Sequence, residues 1–271
     1  LPTGDLPEPV ARELAEAQVV RAADALVAST EHEWHELASL YGARNDGLRT
    51  IHPGVDHELF SPGDREAARA RLGLDPQGPV VLSVGRIQPL KGLSLAVEAL
   101  ARLRSLRHPP ILLVVGGPSG PRGDEELVDL KKLARSLGVA EQMRWLGPRP
   151  HEGLPDIYRA ADAVVVCSYS ESFGFAALEA HACGVPVLGT AVGGLSYIVR
   201  DGRSGFLFDR RDPDVFAERL GAVLSNYDLR AQLGDAARRA AQRFSWHASA
   251  RSLLRLYDSL VEQPMMETCV L

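Results

Sequence analysis

The chain has 271 residues, of which 45% are hydrophobic and 24% are charged, and its formal net charge is -5 at pH 7. This composition is typical of a globular protein of one to two domains, and no apolar run is long enough to cross a bilayer. Acidic and basic residues are interspersed along the chain, which argues against a nucleic-acid-binding or basic membrane-binding protein.

The cysteines and the first residues bear on the cellular compartment of the protein and on where the chain begins. The three cysteines show no spacing typical of a metal site, and Cys167 and Cys183 fall in segments predicted to be core. We therefore expect reduced, buried thiols in a cytoplasmic protein. Residues 1–9 contain neither a signal peptide nor a strand pattern, and the first residue is leucine. We expect that the chain begins within a longer protein.

The first 62 residues predict two helices and two short strands, followed by an irregular segment. The predicted elements are a helix over 10–22, a strand over 25–29, a helix that Thr30 caps and Gly42 ends, and a strand over 48–51. From His52 to Pro62, proline, glycine and aspartate interrupt every periodic pattern, which indicates a linker.

From residue 79 onwards, short apolar runs alternate with helical segments. The runs at 80–84 and 163–167 are continuous, as expected for parallel strands buried on both faces. The further predicted strands are 111–115, 143–146, 185–188 and 205–208, and the predicted helices are 93–107, 124–137, 155–161, 174–183, 213–224, 228–243 and 246–262. This alternation predicts a doubly wound α/β domain.

Two glutamates eight residues apart mark one end of this predicted sheet. Glu171 follows the predicted strand at 163–167, and Glu179 lies inside the apolar helix that follows. A carboxylate in such a helix is costly to bury unless something binds it. The backbone N–H groups of Ser172 to Phe175 would lie free at the helix N-terminus and form an anion site. Hydroxyls and phosphates together are the ligand groups that suit this pattern, so a nucleotide sugar is the candidate ligand.

A basic loop follows the first strand of the same predicted sheet. It runs from Gly85 to Gly92 and contains Arg86 and Lys91, a planar fork and a mobile point charge that together suit a diphosphate. Taken alone, the pair is more typical of solvated loop charges. Its position at the same edge as Glu171 favours a binding function, because ligands of open parallel sheets bind beyond the carboxyl ends of the strands.

Two further strand ends carry weaker signals. Gly116 and Gly117 follow the strand at 111–115, where the missing side chains would let a ligand approach closely. Arg149 follows the strand at 143–146 and would stack on a nucleobase, although an exposed loop arginine is an equal alternative. Asp212 and Asp214 are interpreted as a helix N-cap and not as a metal site.

Taken together, the charged motifs at the strand ends resemble those of a known family. The pairs Arg86-x4-Lys91 and Glu171-x7-Glu179 resemble those of the retaining nucleotide-sugar glycosyltransferases of family 4, which have the two-domain GT-B fold. Within the family, the segments Gly116–Pro121, Pro148–Pro150 and Tyr158–Asp162 are similar to those of the enzymes that transfer a sugar to inositol 3-phosphate in mycothiol biosynthesis. The expected fold is thus a Rossmann-like C-terminal domain together with the end of a truncated N-terminal Rossmann-like domain.

The resemblance implies three regions in the chain. Residues 1–62 would be the remnant of the acceptor domain with the linker, residues 63–245 the donor-binding domain, and residues 246–271 a helix that crosses back toward the N-terminal domain. Most acceptor-binding residues of the family would precede Leu1, so we expect the chain to bind the donor without turning it over.

The resemblance also implies roles for individual residues. Arg86 and Lys91 would bind the UDP diphosphate, Arg149 the uracil, Glu171 the donor sugar and Glu179 the ribose, and Arg12 would bind the acceptor phosphate. An ordinary helix-surface arginine is the alternative for Arg12. The catalytic residues would be Arg86, Lys91 and Glu171, and the donor site as a whole would comprise Gly85, Arg86, Lys91, Gly116, Arg149, Glu171, Ser172, Phe173, Gly174, Phe175 and Glu179.

No cofactor is required for the implied chemistry, although the family suggests a structural magnesium ion. The ion would lie near Tyr158, Arg159 and Ala161 and the position of Val185, where valine replaces the expected threonine. The expected partners are a UDP-sugar, such as UDP-N-acetylglucosamine, and a small phosphorylated acceptor, and a homodimer is left open.

Several functions are compatible with these residues. The first is transfer of N-acetylglucosamine to 1D-myo-inositol 3-phosphate with retention of configuration. The alternatives are a different acceptor (sucrose-phosphate synthesis, a lipid or a polysaccharide), a non-catalytic nucleotide-binding fragment, and an epimerase of related fold.

Overall fold

A computed structural model describes residues 10–44 and 47–262. The predictions about residues 1–9 and Cys269 lie outside this part of the chain. The described chain divides into two compact units, one formed by residues 10–54 with 244–262 and the other by residues 55–243. The domain limits predicted from sequence, after residues 62 and 245, lie slightly further along the chain than these divisions.

The unit of residues 10–54 and 244–262 contains a pair of short parallel strands and three helices. Thr30 caps its second helix by accepting a hydrogen bond from the N–H of Glu33, and Gly42 ends that helix with φ 66°, which confirms both predicted boundaries. Ala28, Ala43 and Leu48 form a small core. Its elements are α1 (Val10–Ala22), β1 (Leu26–Ala28), α2 (Glu31–Tyr41), β2 (Leu48–Thr50) and α11 (Trp246–Val261).

The unit of residues 55–243 is built on a six-stranded parallel sheet. Its strands are β3 (Val80–Val84), β4 (Ile111–Val115), β5 (Met143–Gly147), β6 (Ala163–Val166), β7 (Val187–Thr190) and β8 (Gly205–Phe208). Its helices, apart from single-turn 3-10 segments, are α3 (Arg65–Arg71), α4 (Ser94–Leu103), α5 (Gly123–Ser136), α6 (Leu154–Ala160), α7 (Phe175–Ala182), α8 (Leu195–Ile198), α9 (Pro213–Ser225) and α10 (Tyr227–Ala241). The doubly wound α/β fold predicted from the alternation of elements is confirmed.

The helices cover both faces of the sheet, because the strands are apolar on both sides. Every residue of β6 is buried, and α4 packs against α5 and α9. A second group consists of α7 packed against α6 and α10, with α3 against α6. Asp212 caps α9 by accepting hydrogen bonds from the N–H groups of Asp214 and Val215, as predicted. Within the described residues, no helix has the length and apolar character needed to cross a membrane.

The strand order, β5-β4-β3-β6-β7-β8, determines where a ligand can bind. From β3 the chain moves outward to β4 and β5, and it then returns to the other side of β3 with β6. The loops that follow β3 and β6 therefore diverge, and a crevice opens between them at the carboxyl edge of the sheet.

Two predicted elements differ from the structure most clearly in their bounds, and the short helices α3 and α8 were not predicted. The helix predicted over 93–107 ends at Leu103, and the strand predicted over 185–188 runs from Val187 to Thr190. The short helix α3 has no counterpart in the sequence prediction. Its sequence, REAARAR, contains no apolar stripe, and the residues that it buries are Ala68 and Arg69.

Candidate active site

A cleft of about 340 Å³ lies at the carboxyl edge of the sheet, between the loops that follow β3 and β6. Its lining includes most of the predicted donor-site residues: Gly85, Arg86, Lys91, Glu171, Gly174, Phe175 and Glu179. The topology thus brings together side chains from the two motifs that the sequence analysis singled out.

Lys91 and Glu171, which both line this cleft, form an ion pair. Lys91 Nζ donates to Glu171 Oε2 at 2.6 Å, and Ser168 Oγ donates to the same oxygen at 3.2 Å. The two charged side chains are 25% and 17% exposed, so solvent screens the pair only partly. One ammonium has three N–H donors, and Glu171 uses one of them, which leaves donors for a bound anion.

Arg86 lies in the same loop and is exposed to the cleft. Backbone hydrogen bonds on both sides of it hold the loop against the end of β4 and the segment that follows: Gly85 N–H donates to Val115 O at 2.9 Å and Ile87 N–H donates to Gly117 O at 2.8 Å. The base of the loop is therefore fixed, whereas the guanidinium remains available to a ligand.

Gly116 contributes through close packing. A Cβ at Gly116 would lie 1.8 Å from the carbonyl oxygen of Gly85, and its φ of 136° disfavours any side chain. Gly116 is not among the residues that line the cleft. Direct contact between Gly116 and a donor therefore stays a prediction.

Arg211 joins the two loops, and the sequence analysis did not single it out. Its Nη1 donates to Cys167 O at 2.5 Å and its Nη2 donates to Gly92 O at 2.8 Å, so one guanidinium links the end of the Lys91 loop to the start of the Glu171 loop. The same guanidinium lies 3.9 Å from the centroid of the Tyr169 ring. The available signal was a pair of arginines, Arg210 and Arg211, shortly after the end of β8 at the same sheet edge. The sequence does not tell which of the two side chains turns inward.

Glu179 is buried in α7 and has two hydrogen-bond partners. Tyr158 OH donates to Oε2 at 2.7 Å, and His151 Nε2 lies 3.0 Å from Oε1. Burial, together with the adjacent Glu179 carboxylate, holds the pKa of Tyr158 well above its usual value, so its hydroxyl remains a donor. His151 was missed, although it directly follows the Pro148–Pro150 segment at the end of β5.

The N-terminus of α7 faces the cleft through Gly174, Phe175 and Ala176. The N–H groups of such a first turn are not used within the helix and attract anions. Ser172 and Phe173 do not line the cleft, and Phe173 is buried with its ring 5.1 Å from that of Phe175. The role of their N–H groups in donor binding stays a prediction.

Two predicted arginines are not among the residues that line this cleft. Arg149 is exposed in the loop after β5, which is an edge strand of the sheet, and it does not line the cleft. Arg12 belongs to the other unit, where its Nε lies 2.8 Å from Glu16 Oε1 in an exposed pair one helical turn apart. Their roles toward uracil and the acceptor phosphate stay predictions.

The residues suggested for a magnesium ion carry no carboxylate, so an ion there would depend on backbone carbonyls and water. The carbonyl oxygen of Tyr158 accepts the N–H of Ala161 at 3.0 Å, the side chain of Val185 offers no oxygen, and the guanidinium of Arg159 donates to Ser61 O at 2.8 Å. Magnesium prefers carboxylate oxygens and water. No group of three or more His, Cys, Asp or Glu side chains that could hold a metal ion occurs within residues 10–44 and 47–262.

The cleft therefore combines two kinds of recognition. Arg86, Lys91 and the N-terminus of α7 provide positive potential at one sheet edge, which suits a phosphate or diphosphate. The carboxylates of Glu171 and Glu179 accept hydrogen bonds, which suits the hydroxyls of a sugar. A phosphorylated carbohydrate satisfies both sets of groups.

Among curated proteins, the chain is similar to proteins named as glycosyltransferases. The chain is 47% identical over 262 residues to a D-inositol 3-phosphate glycosyltransferase of Kribbella flavida, covering 95% of this chain and 62% of that protein. It is 48% identical over 267 residues to the protein of the same name in Geodermatophilus obscurus, covering 97% of this chain and 58% of that protein. The chain thus spans about three fifths of the length of these relatives.

Solved structures show the same fold. Sucrose-phosphate synthase from Thermosynechococcus elongatus superposes with a TM-score of 0.86 at 31% identity, covering 96% of this chain and 64% of that chain. Anabaena HepE, solved in complex with UDP and glucose, superposes with a TM-score of 0.85 at 23% identity. The match covers 93% of this chain and 68% of that chain, and at this identity it supports only a common fold. A family model, glycosyl transferases group 1, matches residues 64–240, which contain the whole cleft. The chain belongs to the group 1 glycosyl transferases, and its fold is of the GT-B type.

Proposed function

We propose that the protein transfers N-acetylglucosamine from UDP-N-acetylglucosamine to 1D-myo-inositol 3-phosphate with retention of configuration, as a cytoplasmic step of mycothiol biosynthesis. The main support for a nucleotide-sugar donor is the Lys91–Glu171 pair in the cleft that Glu179 also lines. The name that the relatives from Kribbella flavida and Geodermatophilus obscurus share supports the acceptor part. The free, buried thiols of Cys167 and Cys183 support a reducing compartment.

In this proposal the cations of the cleft act on the leaving diphosphate. Arg86 and Lys91 hold the UDP diphosphate, and they stabilise the negative charge that grows on it as the glycosidic bond to the sugar breaks. Lys91 is already oriented by Glu171, so little reorganisation is needed when the charge develops. The N–H groups at the start of α7 add to the same positive potential.

The two glutamates contact hydroxyl groups. Glu179 binds the ribose and Glu171 binds the donor sugar, since a carboxylate accepts hydrogen bonds from hydroxyls. Lys91 and Ser168 both donate to Oε2 of Glu171. We therefore assign this carboxylate to contact the donor sugar and to pair with the charge of Lys91, and not to act as a nucleophile. Arg149 would contact the uracil and Arg12 the acceptor phosphate.

A second acceptor is favoured by one observation. Sucrose-phosphate synthase has the same fold at 31% identity, so sucrose-phosphate synthesis is the alternative function. Both alternatives use a phosphorylated acceptor, and both would use the same donor cleft. A nucleotide-binding protein without transferase activity is the third candidate.

Two measurements separate these functions. The first is calorimetric titration of UDP, GDP and UDP-N-acetylglucosamine into the chain, in which we expect UDP to bind at least about tenfold more tightly than GDP, or about 1.4 kcal/mol. Failure of every nucleotide to bind to a chain that is folded by circular dichroism would refute the donor-site assignment.

The second measurement is a transfer assay on this chain joined to the part of the Kribbella flavida relative that it does not cover, because the chain alone is expected to bind the donor without turnover. The donors are UDP-N-acetylglucosamine and UDP-glucose, and the acceptors are 1D-myo-inositol 3-phosphate and the phosphorylated sugar that would give sucrose phosphate. Mass spectrometry identifies the product, and NMR of its anomeric proton gives the configuration. A glycosylated inositol phosphate of retained configuration is the expected product. Sucrose phosphate would favour the alternative, and nucleotide binding without either product would favour the binding protein.

A further inference from the structure

A second cleft, of about 200 Å³, lies in the same unit but at the opposite, amino-terminal edge of the sheet. Asp162 directly precedes β6 and Val185 lies just before β7, and both line this cleft together with Arg65 and Arg230. It does not share a lining residue with the candidate active site. A ligand here would therefore bind to residues other than those that line the candidate active site.

Asp162 is the acidic residue of this second cleft, and its carboxylate is already saturated. It is 2% exposed and accepts hydrogen bonds from Arg69 Nη2 at 2.7 Å and from the backbone N–H of Val80 at 2.8 Å. Arg65 Nη2 pairs with Oδ1, and Arg230 Nε lies 3.3 Å from the same oxygen. Little of its charge is left to attract a cation.

Positive charge exceeds negative charge at this site, because three guanidinium groups converge on one carboxylate. Arg69 is fully buried and structural, since its remaining donors reach Ala160 O at 2.9 Å and Pro76 O at 2.7 Å. Asp162 can neutralise only one of the three guanidinium charges around it, so the group as a whole keeps a net positive charge.

Arg230 also donates to backbone carbonyls. Of the three arginines, Arg65 has the most N–H donors available for a ligand. Arg230 Nη1 donates to the carbonyls of Val223 and Leu224 at 3.2 and 3.1 Å, at the end of α9. Arg65 is 36% exposed and lines the cleft, and its hydrogen bond to Asp162 uses one of five guanidinium donors. Burial lowers the pKa of Arg65, Asp162 opposes this, and repulsion from Arg69 and Arg230 adds to the lowering.

This arrangement is the reverse of what a metal site needs. The cleft includes Arg159, Ala161 and Val185, three of the positions suggested for a magnesium ion. The side chain of Val185 supplies no oxygen ligand, and the surrounding guanidinium groups repel a divalent cation. An anion, in contrast, would relieve the repulsion among the arginines.

We propose that this cleft binds a small tetrahedral dianion of the size and charge of inorganic phosphate, in the place where the family resemblance suggests magnesium. The planar fork of Arg65 binds two oxygens of the anion, since guanidinium geometry matches phosphate. The positive potential of Arg69 and Arg230 strengthens that contact, and Asp162 holds the three arginines in position.

The test is the thermal unfolding of the chain in sodium phosphate against sodium chloride at constant ionic strength, which removes general screening effects. An Arg86→Ala/Lys91→Ala background excludes phosphate binding at the candidate active site. At ten times the dissociation constant, phosphate should raise Tm by about 3 °C, whereas magnesium chloride should leave it unchanged. Direct titration of phosphate by calorimetry gives the affinity.

Arg65→Ala in the same background should abolish the phosphate-dependent rise in Tm and weaken the affinity at least about tenfold. Arg107→Ala, which removes an exposed arginine elsewhere in the unit, is the matched control and should retain the rise. Each rise is measured against the same variant without phosphate. Arg65→Gln, which keeps a donor for Asp162 but no charge, should lose the rise as well and serves if Arg65→Ala does not fold.

Two outcomes would overturn the assignment. One is a phosphate-dependent rise that is equal in the Arg65 and Arg107 variants. The other is the absence of any response to phosphate, with or without stabilisation by magnesium chloride. Neither outcome bears on UDP binding, which uses other residues.

Discussion

Lys91 Nζ and Glu171 Oε2 lie 2.6 Å apart although the residues are separated by 80 positions in the chain. The pair exists because β3 and β6 are neighbours in the sheet, so the loops after them meet at one edge. It fixes a cation beside the positive end of α7, and the first prediction concerns that cation.

Replacing Lys91 with alanine should weaken UDP binding by about 1.5–3 kcal/mol, the usual cost of a lost charged hydrogen bond. This corresponds to about a 10- to 150-fold increase in the dissociation constant measured by calorimetry. Lys132→Ala is the control, because Lys132 is an exposed lysine in α5 that pairs with Asp129. Equal UDP affinities in the two variants would exclude Lys91 from the donor site.

Glu179→Gln should weaken the binding of UDP more than that of 2′-deoxy-UDP. The proposed role of Glu179 is to accept a hydrogen bond from the ribose. The deoxy ligand lacks that hydroxyl, so the substitution should reduce its binding free energy less. Calorimetry with both nucleotides and both proteins forms a double-mutant cycle between side chain and hydroxyl, with an expected coupling of about 1 kcal/mol. A coupling near zero would mean that Glu179 does not contact that hydroxyl.

Arg211→Ala should weaken UDP binding about tenfold without any change in secondary structure, although Arg211 does not line the cleft. Loss of its bonds to Cys167 O and Gly92 O frees the two loops whose positions bring Lys91 to Glu171. Arg210→Ala, at the exposed neighbouring position, should have no effect.

The double variant Arg211→Ala/Lys91→Ala distinguishes positioning from a separate contribution. If Arg211 acts by positioning Lys91, the double variant should bind UDP about as weakly as Lys91→Ala alone. Losses that simply add would mean that Arg211 affects UDP binding by another route.

His181 should make the protein less stable in mild acid. Burial lowers its pKa to about 4, so between pH 6.5 and 4 the unfolded chain takes up a proton that the folded chain does not. Stability is therefore present above pH 6.5 and falls as pH drops toward 4, by roughly 3 kcal/mol in total. Urea unfolding of the wild type and His181→Leu at several pH values measures this difference.

The His181→Leu variant should lose this part of the pH dependence, whatever its stability at pH 7. His108→Asn, a change at an exposed histidine, should keep the wild-type slope. The same slope in His181→Leu and in the wild type would show that another group is responsible.

Most elements of the parallel sheet were predictable because the information is local. The apolar runs of β3, β4 and β6 and the cap residues Thr30 and Asp212 identify their elements without reference to distant residues. Helix α3 was missed for the opposite reason. Its buried Arg69 is stable inside the protein only because Asp162, 93 residues away, neutralises it.

The candidate site was predictable in part. Lys91, Glu171 and Glu179 stood out because charged residues follow or interrupt apolar segments at the ends of predicted strands. His151 and Arg211 did not, since each acts through a partner on another element: His151 pairs with Glu179, and Arg211 binds backbone carbonyls, which no sequence pattern marks.

The sequence by itself determined the class of fold and the charged residues at its strand ends, because burial of apolar runs and helix capping depend on neighbours in the chain. The tertiary structure decided which strand ends are adjacent. The order β5-β4-β3-β6-β7-β8 places Lys91 against Glu171 at one edge, and gathers Arg65, Arg69 and Arg230 around Asp162 at the other. Charges act through space over a few ångströms, so only the packed sheet settles which groups interact.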